Sequence, residues 1–106
     1  MEKDQITHKI LDSAYKVHTK LGPGLLESAY RTCLAYELRK KGLKVEEEKP
    51  LPIIYEELRL ECGYRLDMLV EDEVIVELKT VSAFNEVHLA QILTYLRFSY
   101  KHVGLL

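Results

Sequence analysis

No stretch of this chain approaches a bilayer span. Its longest apolar run is only a few residues, where a membrane-crossing helix needs roughly 20. The opening Met1-Glu2-Lys3-Asp4-Gln5 has neither the apolar centre nor the small-residue cleavage site of a secretory signal, so the expected compartment is the cytoplasm and no membrane partner is expected. Cysteine is scarce too. Cys33 and Cys62 miss the Cys-x-x-Cys spacing of a zinc or redox motif, and in a reducing compartment they are expected to remain free thiols. An excess of basic charge is also lacking: the formal net charge is -2, which weighs against a nucleic-acid binder that relies on a basic face. It leaves room for one in which metal ions meet the phosphates. No repeat, linker or low-complexity segment interrupts the 106 residues, a length that suits one domain spanning 1–106.

What is present is a mixture of helical and strand periodicity, an α/β (α+β) pattern. Ile6, Ile10, Ser13, Ala14, Val17 and Leu21 recur at the spacing of one helical stripe, and Gly22-Pro23-Gly24 ends it. A second helical pattern turns Leu25, Leu26, Ala29, Tyr30, Cys33, Leu34 and Leu38 inward. Arg39, Lys40 and Lys41 complement its C-terminal dipole and Gly42 caps it. Val45–Lys49 alternates before Pro50 and Pro52, which suit an edge strand. Glu46-Glu47-Glu48 reads as a solvated edge. Ile53–Tyr55 and Leu58–Glu61 read as short strands around Glu56-Glu57, and a third helix begins near Phe84 with Leu89, Ile92, Leu93 and Leu96 in the core. From His102 the chain enters an apolar run and stops inside it at Leu106, so the expectation is a C-terminal strand cut short.

The most informative segment is Tyr64–Thr80, two alternating strands around an acidic turn. Pairing Leu66 with Leu78, Met68 with Val76 and Val70 with Val74 gathers all six on one face, whereas a one-residue slip turns a buried face to solvent. That register selects the connection Glu71-Asp72-Glu73 and sets Asp67 across from Glu77, with Cβ atoms about 4.5–5.5 Å apart. Lys79 shares their face, across from Arg65. Two carboxylates so close repel unless a cation or proton lies between them. Mg²⁺ fits, because it takes one or two carboxylates together with waters and phosphate. The alternative is an ordinary solvated face on which Arg65 and Lys79 neutralise the acids.

Asp67 followed by Glu77-Leu78-Lys79 resembles the Asp and (Asp/Glu)-x-Lys signature of the PD-(D/E)XK nuclease superfamily, with Leu66 standing at the position of the proline. Gly24-Leu25-Leu26-Glu27-Ser28-Ala29-Tyr30 resembles the motif of the G-x-x-E-x-x-Y family, a branch of that superfamily. Gln91-Ile92-Leu93-Thr94-Tyr95 is similar to the Q-x-x-x-Y element of such nucleases. The likeness runs from the first helix to Leu106 and includes Gly63-Tyr64-Arg65 and Val74-Ile75-Val76-Glu77.

The resemblance implies a restriction-endonuclease-like core, a mixed sheet flanked by helices, and metal-dependent hydrolysis of phosphodiesters in nucleic acid, DNA ahead of RNA. Asp67, Glu77 and the Leu78 carbonyl are then the ligands of Mg²⁺ or Mn²⁺, with Glu27 as a third acid and Lys79 as the catalytic cation. Gln91, Tyr95 and Tyr30 become positioning residues, with His88 in the same helical stripe as the first two. Other readings stand beside this one. Glu27 can be a first-turn acid favoured by the helix dipole, Tyr30 can belong to the core, and His18 is read as structural. A non-catalytic module that keeps the nuclease fold and binds nucleic acid or protein is the rival function. A homodimer or partner chain would supply the area and basic groove that this sequence lacks.

Overall fold

The structure, a computed structural model, describes residues 2–61, 64–79, 86–99 and 103–105. Cys62, Gly63, Thr80, Phe84, His102 and Leu106, which enter the expectations above, lie outside the described residues. The order is α1 (Lys3–Leu21), α2 (Glu27–Lys40), β1 (Val45–Pro50), β2 (Ile53–Tyr55), β3 (Leu58–Leu60), β4 (Arg65–Val70), β5 (Val74–Val76), α3 (Glu86–Ser99) and β6 (Val103–Leu105). One sheet runs β1-β4-β5-β6, and β2 and β3 form a separate hairpin. The pairs β1–β4, β4–β5 and β2–β3 are antiparallel, whereas β6 is parallel to β5, with α3 supplying the crossover that parallel neighbours need. The proline-bearing strand β1 is an edge strand, as the missing donors of Pro50 and Pro52 require.

Helix ends follow their glycines. At the end of α2 the Leu43 N–H donates to the Leu38 carbonyl at 3.1 Å and the Gly42 N–H to that of Arg39 at 3.0 Å. Gly42 has φ +83°, which completes a Schellman cap. Leu38 and Leu43, the apolar partners of such a cap, are both buried.

The central sheet is buried on both faces. Met68, Val70, Val74 and Val76 pack with Ile6, Ile10 and Val17 of α1 and with Leu34, Ala35 and Leu38 of α2, and Leu78 lies against this layer. Leu69 and Ile75 point the other way and pack with Leu51, Ile92 and Tyr95. The face that carries Asp67 and Glu77 is therefore not the solvated face that alternation alone allows, because α3 contributes to its cover.

Three expectations are corrected. Leu66 does not join Met68 and Val70 but packs with Leu51, Leu69 and Ile75; the β4–β5 ladder stops at Met68–Val76, and beyond it β4 is paired only with β1. On α3 the buried face contains Ile92 and Tyr95, with Leu96 packed against it, whereas Leu89 and Leu93 are 52% and 53% exposed. The tyrosine ring supplies the apolar area that two leucines were expected to supply. Leu25 and Leu26 precede the first turn of α2 and are exposed, so they lie outside its periodicity.

Core truncations should report this arrangement. Met68→Ala and Ile75→Ala, one on each sheet face, are each expected to lower unfolding stability by about 2–5 kcal/mol. Leu93→Ala on the outer face of α3 should change it by less than about 0.5 kcal/mol. Urea unfolding checks this, and a large loss at Leu93 would contradict the observed helix face.

Candidate active site

β4 and β5 pair through Met68–Val76, Leu69–Ile75 and Val70–Val74, the register selected by their apolar alternation, with Glu71-Asp72-Glu73 as the connection. Glu71 and Asp72 both take positive φ, +52° and +56°, the backbone a tight hairpin of this twist needs. The ladder ends at Val76, and the next residue is Glu77.

Where the strands part, the two acids take over from the ladder. The Asp67 N–H donates to Glu77 Oε1 at 3.1 Å, and the Leu78 N–H donates to Asp67 Oδ2 at 2.8 Å. Each carboxylate thus accepts a hydrogen bond from the backbone of the opposite strand, satisfying amides that would otherwise lack a partner there. Asp67 is half-buried and Glu77 only 1% exposed.

Burial is the largest influence on Glu77 and pushes its carboxyl up to about 7. The negative charge of Asp67 acts in the same direction, while the hydrogen bond from the Asp67 amide and the Lys79 charge oppose it. Lys79 lies beyond the end of β5, so the expected pairing across from Arg65 is not formed; Arg65 pairs with Pro50 instead.

One member of the polar stripe of α3, Tyr95, lies within electrostatic reach of this pair. Tyr95 is 5% exposed and packs with Leu69 and Ile75, which share the sheet face of the two acids. Burial raises its phenol above the ordinary value, and the Glu77 charge adds to the rise. The Gln91 amide donates to the Tyr95 hydroxyl at 3.1 Å. His88 is half-buried one turn earlier on the same stripe. Tyr95 is thus within electrostatic reach of the acid pair, and Gln91 is tied to Tyr95.

Glu27 is placed differently. It begins α2 and borders a cleft of about 750 Å³, together with His18, Tyr30, Leu78 and Lys79. Asp67 and Glu77 do not line that cleft. Among the described residues no group of three or more His, Cys, Asp or Glu side chains is placed to hold a metal ion, so Glu27 does not join the pair in one cluster. Lys79 links the two places, since it lines the cleft and its charge reaches Glu77.

Tyr30 engages the turn that precedes Glu27. Its hydroxyl donates to the Gly22 carbonyl and accepts from the Leu25 N–H, the latter at 3.2 Å. Gly22 and Gly24 take φ of +68° and +96°, which side-chain-bearing residues rarely adopt. The Gly-x-x-Glu-x-x-Tyr spacing therefore makes a clasp: the tyrosine one turn into α2 closes the glycine turn before it, with Glu27 between.

Sequence reasoning missed two features. His18, expected to be structural, accepts at its carbonyl from the Gly22 N–H at 2.9 Å and is also among the residues that line the cleft. Tyr64 lines a second groove beside Tyr95; the likeness through Gly63-Tyr64-Arg65 marks the segment but not that placement.

Asp67 and Glu77 offer oxygen donors only, the chemistry that a hard divalent cation such as Mg²⁺ or Mn²⁺ accepts. Burial and the neighbouring Asp67 charge both disfavour an uncompensated negative charge on Glu77. The residues present fit such an ion.

A sequence profile of the PD-(D/E)XK nuclease superfamily matches residues 4–106. The helices flanking a mixed sheet are the restriction-endonuclease-like α+β arrangement of that superfamily, whose members generally use divalent metals. No curated protein and no solved structure matches the chain. Among the described residues no helix is long and apolar enough to cross a membrane.

Two outcomes follow from this geometry. Because the folded-state pKa of Glu77 is raised, its folding contribution is fully present below the unfolded value of 4.5 and is lost as pH rises through about 7. In chelator, Glu77→Gln should therefore melt above wild type at pH 8, with the difference shrinking toward pH 5; a mutant no more stable at pH 8 would contradict the burial argument. Tyr30→Phe should leave the fold intact but speed amide exchange at Leu25 by about fivefold or more, the loss of roughly 1 kcal/mol of hydrogen bonding.

Proposed function

The chain belongs to the PD-(D/E)XK nuclease superfamily, and on that premise we propose that it is a divalent-metal-dependent nuclease of the G-x-x-E-x-x-Y branch that hydrolyses phosphodiester bonds in nucleic acid, DNA ahead of RNA. The observation that carries this reading is the buried meeting of Asp67 and Glu77 across two strands, with Lys79 within electrostatic reach. An acid pair on an ordinary surface strand would be solvated. This one is enclosed and costly, as sites adapted to a cation are.

In this proposal Asp67, Glu77 and the Leu78 backbone carbonyl hold Mg²⁺ or Mn²⁺, and Glu27 joins from the cleft side directly or through water. When bound, the ion lowers the pKa of a water and screens the charge developing on the phosphate. Lys79 orients the attacking water and offsets the negative charge that grows on the phosphate oxygens as water adds to phosphorus and the ester oxygen leaves. Gln91 and Tyr95 position the phosphate from α3, with the Gln91 amide fixing the phenol. Tyr30 acts one step removed, holding the turn from which Glu27 projects. The domain 1–106 works in the cytoplasm, and a second copy or a partner chain supplies the basic surface that a net charge of -2 does not.

The placement of Glu27 apart from the acid pair favours one second reading, a binding module that keeps the fold without turnover. Cleavage separates the two. With Mn²⁺ and a mixed panel of single-stranded and duplex DNA and RNA, the wild type should cut at least one substrate, and Glu77→Gln and Lys79→Ala should each lower the rate by about a hundredfold or more. Retention of nucleic acid without cleavage would favour the module, and mutants within about twofold of wild type would remove both residues from the mechanism.

A further inference from the structure

On the α3 side of the sheet a second groove, of about 520 Å³, runs between the β2–β3 hairpin and α3. Ile53 and Leu60 line it from the hairpin, and Val87, Gln91 and Tyr95 line it from the helix. Its size falls within the range of about 300–1,000 Å³ common for small-ligand sites. Among the described residues its lining has no charged side chain, so it offers nothing to neutralise a phosphate. Among the described residues, Tyr64 is its half-exposed aromatic surface, 49% exposed.

Tyr95 links the groove to the acid pair, since it lines the groove and feels the charges of Glu77 and Asp67. It also packs on Leu69 and Ile75, the neighbours of Asp67 and Glu77 on the same sheet face. A nucleic acid whose phosphate lies at those acids places an adjoining nucleotide beside Gln91 and Tyr95. The part of a nucleotide suited to an uncharged, apolar slot with an aromatic wall is its base, which presents an apolar π-face and a polar edge. A paired base cannot enter, because its faces are covered by its neighbours and its edge is spent; extruding it costs a few kcal/mol.

Resting on the nuclease reading above, we propose that this groove receives an unpaired base, stacked on Tyr64, and that the substrate is therefore single-stranded nucleic acid or an unpaired end. The groove sets strand state; the acid pair acts on the phosphate next to it. Tyr64 contributes through its ring alone, since its backbone carbonyl is independently engaged by the Leu51 N–H at 2.8 Å. Ring substitutions therefore leave that hydrogen bond in place.

The test uses the full chain, a short single-stranded DNA oligonucleotide and its duplex, with Ca²⁺ as the hard cation. Tyr64→Ala should weaken single-strand binding roughly five- to hundredfold, Tyr64→Phe should restore it to within about twofold, and duplex binding should stay weak throughout. Because the chain has no tryptophan, Tyr64→Trp introduces a single indole that can be excited selectively, and single-stranded DNA should quench it whereas the duplex should not. Duplex binding equal to single-strand binding, an unaffected Tyr64→Ala, or an unquenched Tyr64→Trp would each overturn the proposal. So would a change of oligomeric state in Tyr64→Ala, which would make the groove a protein interface. If Mn²⁺ binding to Asp67 and Glu77 persists through such a failure, only the strand preference falls. If the wild type binds neither Mn²⁺ nor nucleic acid, the nuclease reading falls with it.

Discussion

Two carboxylates meet where a β-ladder ends, and much of the molecule is arranged to keep them there. An acid buried beside another acid is unfavourable, so the surrounding structure must hold them more firmly than they repel. The hairpin does so by burying its strands on both faces, one under α1 and α2 and the other with Ile92 and Tyr95 of α3. With Met68, Leu69, Val70, Val74, Ile75 and Val76 all excluded from water, slipping the register by one residue exchanges the two apolar layers' partners along the whole ladder. The reciprocal hydrogen bonds from the Asp67 and Leu78 amides then compensate part of the cost, and a proton or a cation supplies the remainder.

The hairpin was the most legible part of the sequence because apolar alternation, turn length and strand register constrain one another there. The helix ends were legible for a similar reason: Gly42 and the Gly22–Gly24 turn occupy backbone conformations that few other residues reach. The edge position of β1 followed from two absent N–H groups. These are local rules, and a local window contains them.

What was not legible depended on partners distant in the chain. Leucines at helical spacing on α3 pointed to a face through Leu89 and Leu93, yet the sheet accepts Tyr95. A phenol can fill the layer with its ring while its hydroxyl takes the Gln91 amide. The same rotation brings Tyr95, at the end of a polar stripe, within electrostatic reach of the acid pair. Leu66 left its expected layer because alternation presumes a continuous ladder, and this one ends at Met68–Val76. For Tyr30, spacing indicated involvement but not the partner: the clasp on Gly22 and Leu25 depends on the path of the turn. Glu27 and Lys79 come to one cleft, while Glu27 and the Asp67–Glu77 pair do not come to one cluster.

The central claim is that the Asp67–Glu77 pair is a cation-holding centre rather than a structural contact. Calorimetric titration of the purified chain with Mn²⁺ tests it most directly, beside Asp67→Asn, Glu77→Gln and, as a control at the charged edge of β1, Glu46→Gln. The account predicts a binding isotherm in wild type and in the edge mutant that disappears in both site mutants. Equal binding in all four proteins, or none in wild type at millimolar Mn²⁺ with an oligonucleotide present to complete the ligand set, would contradict it.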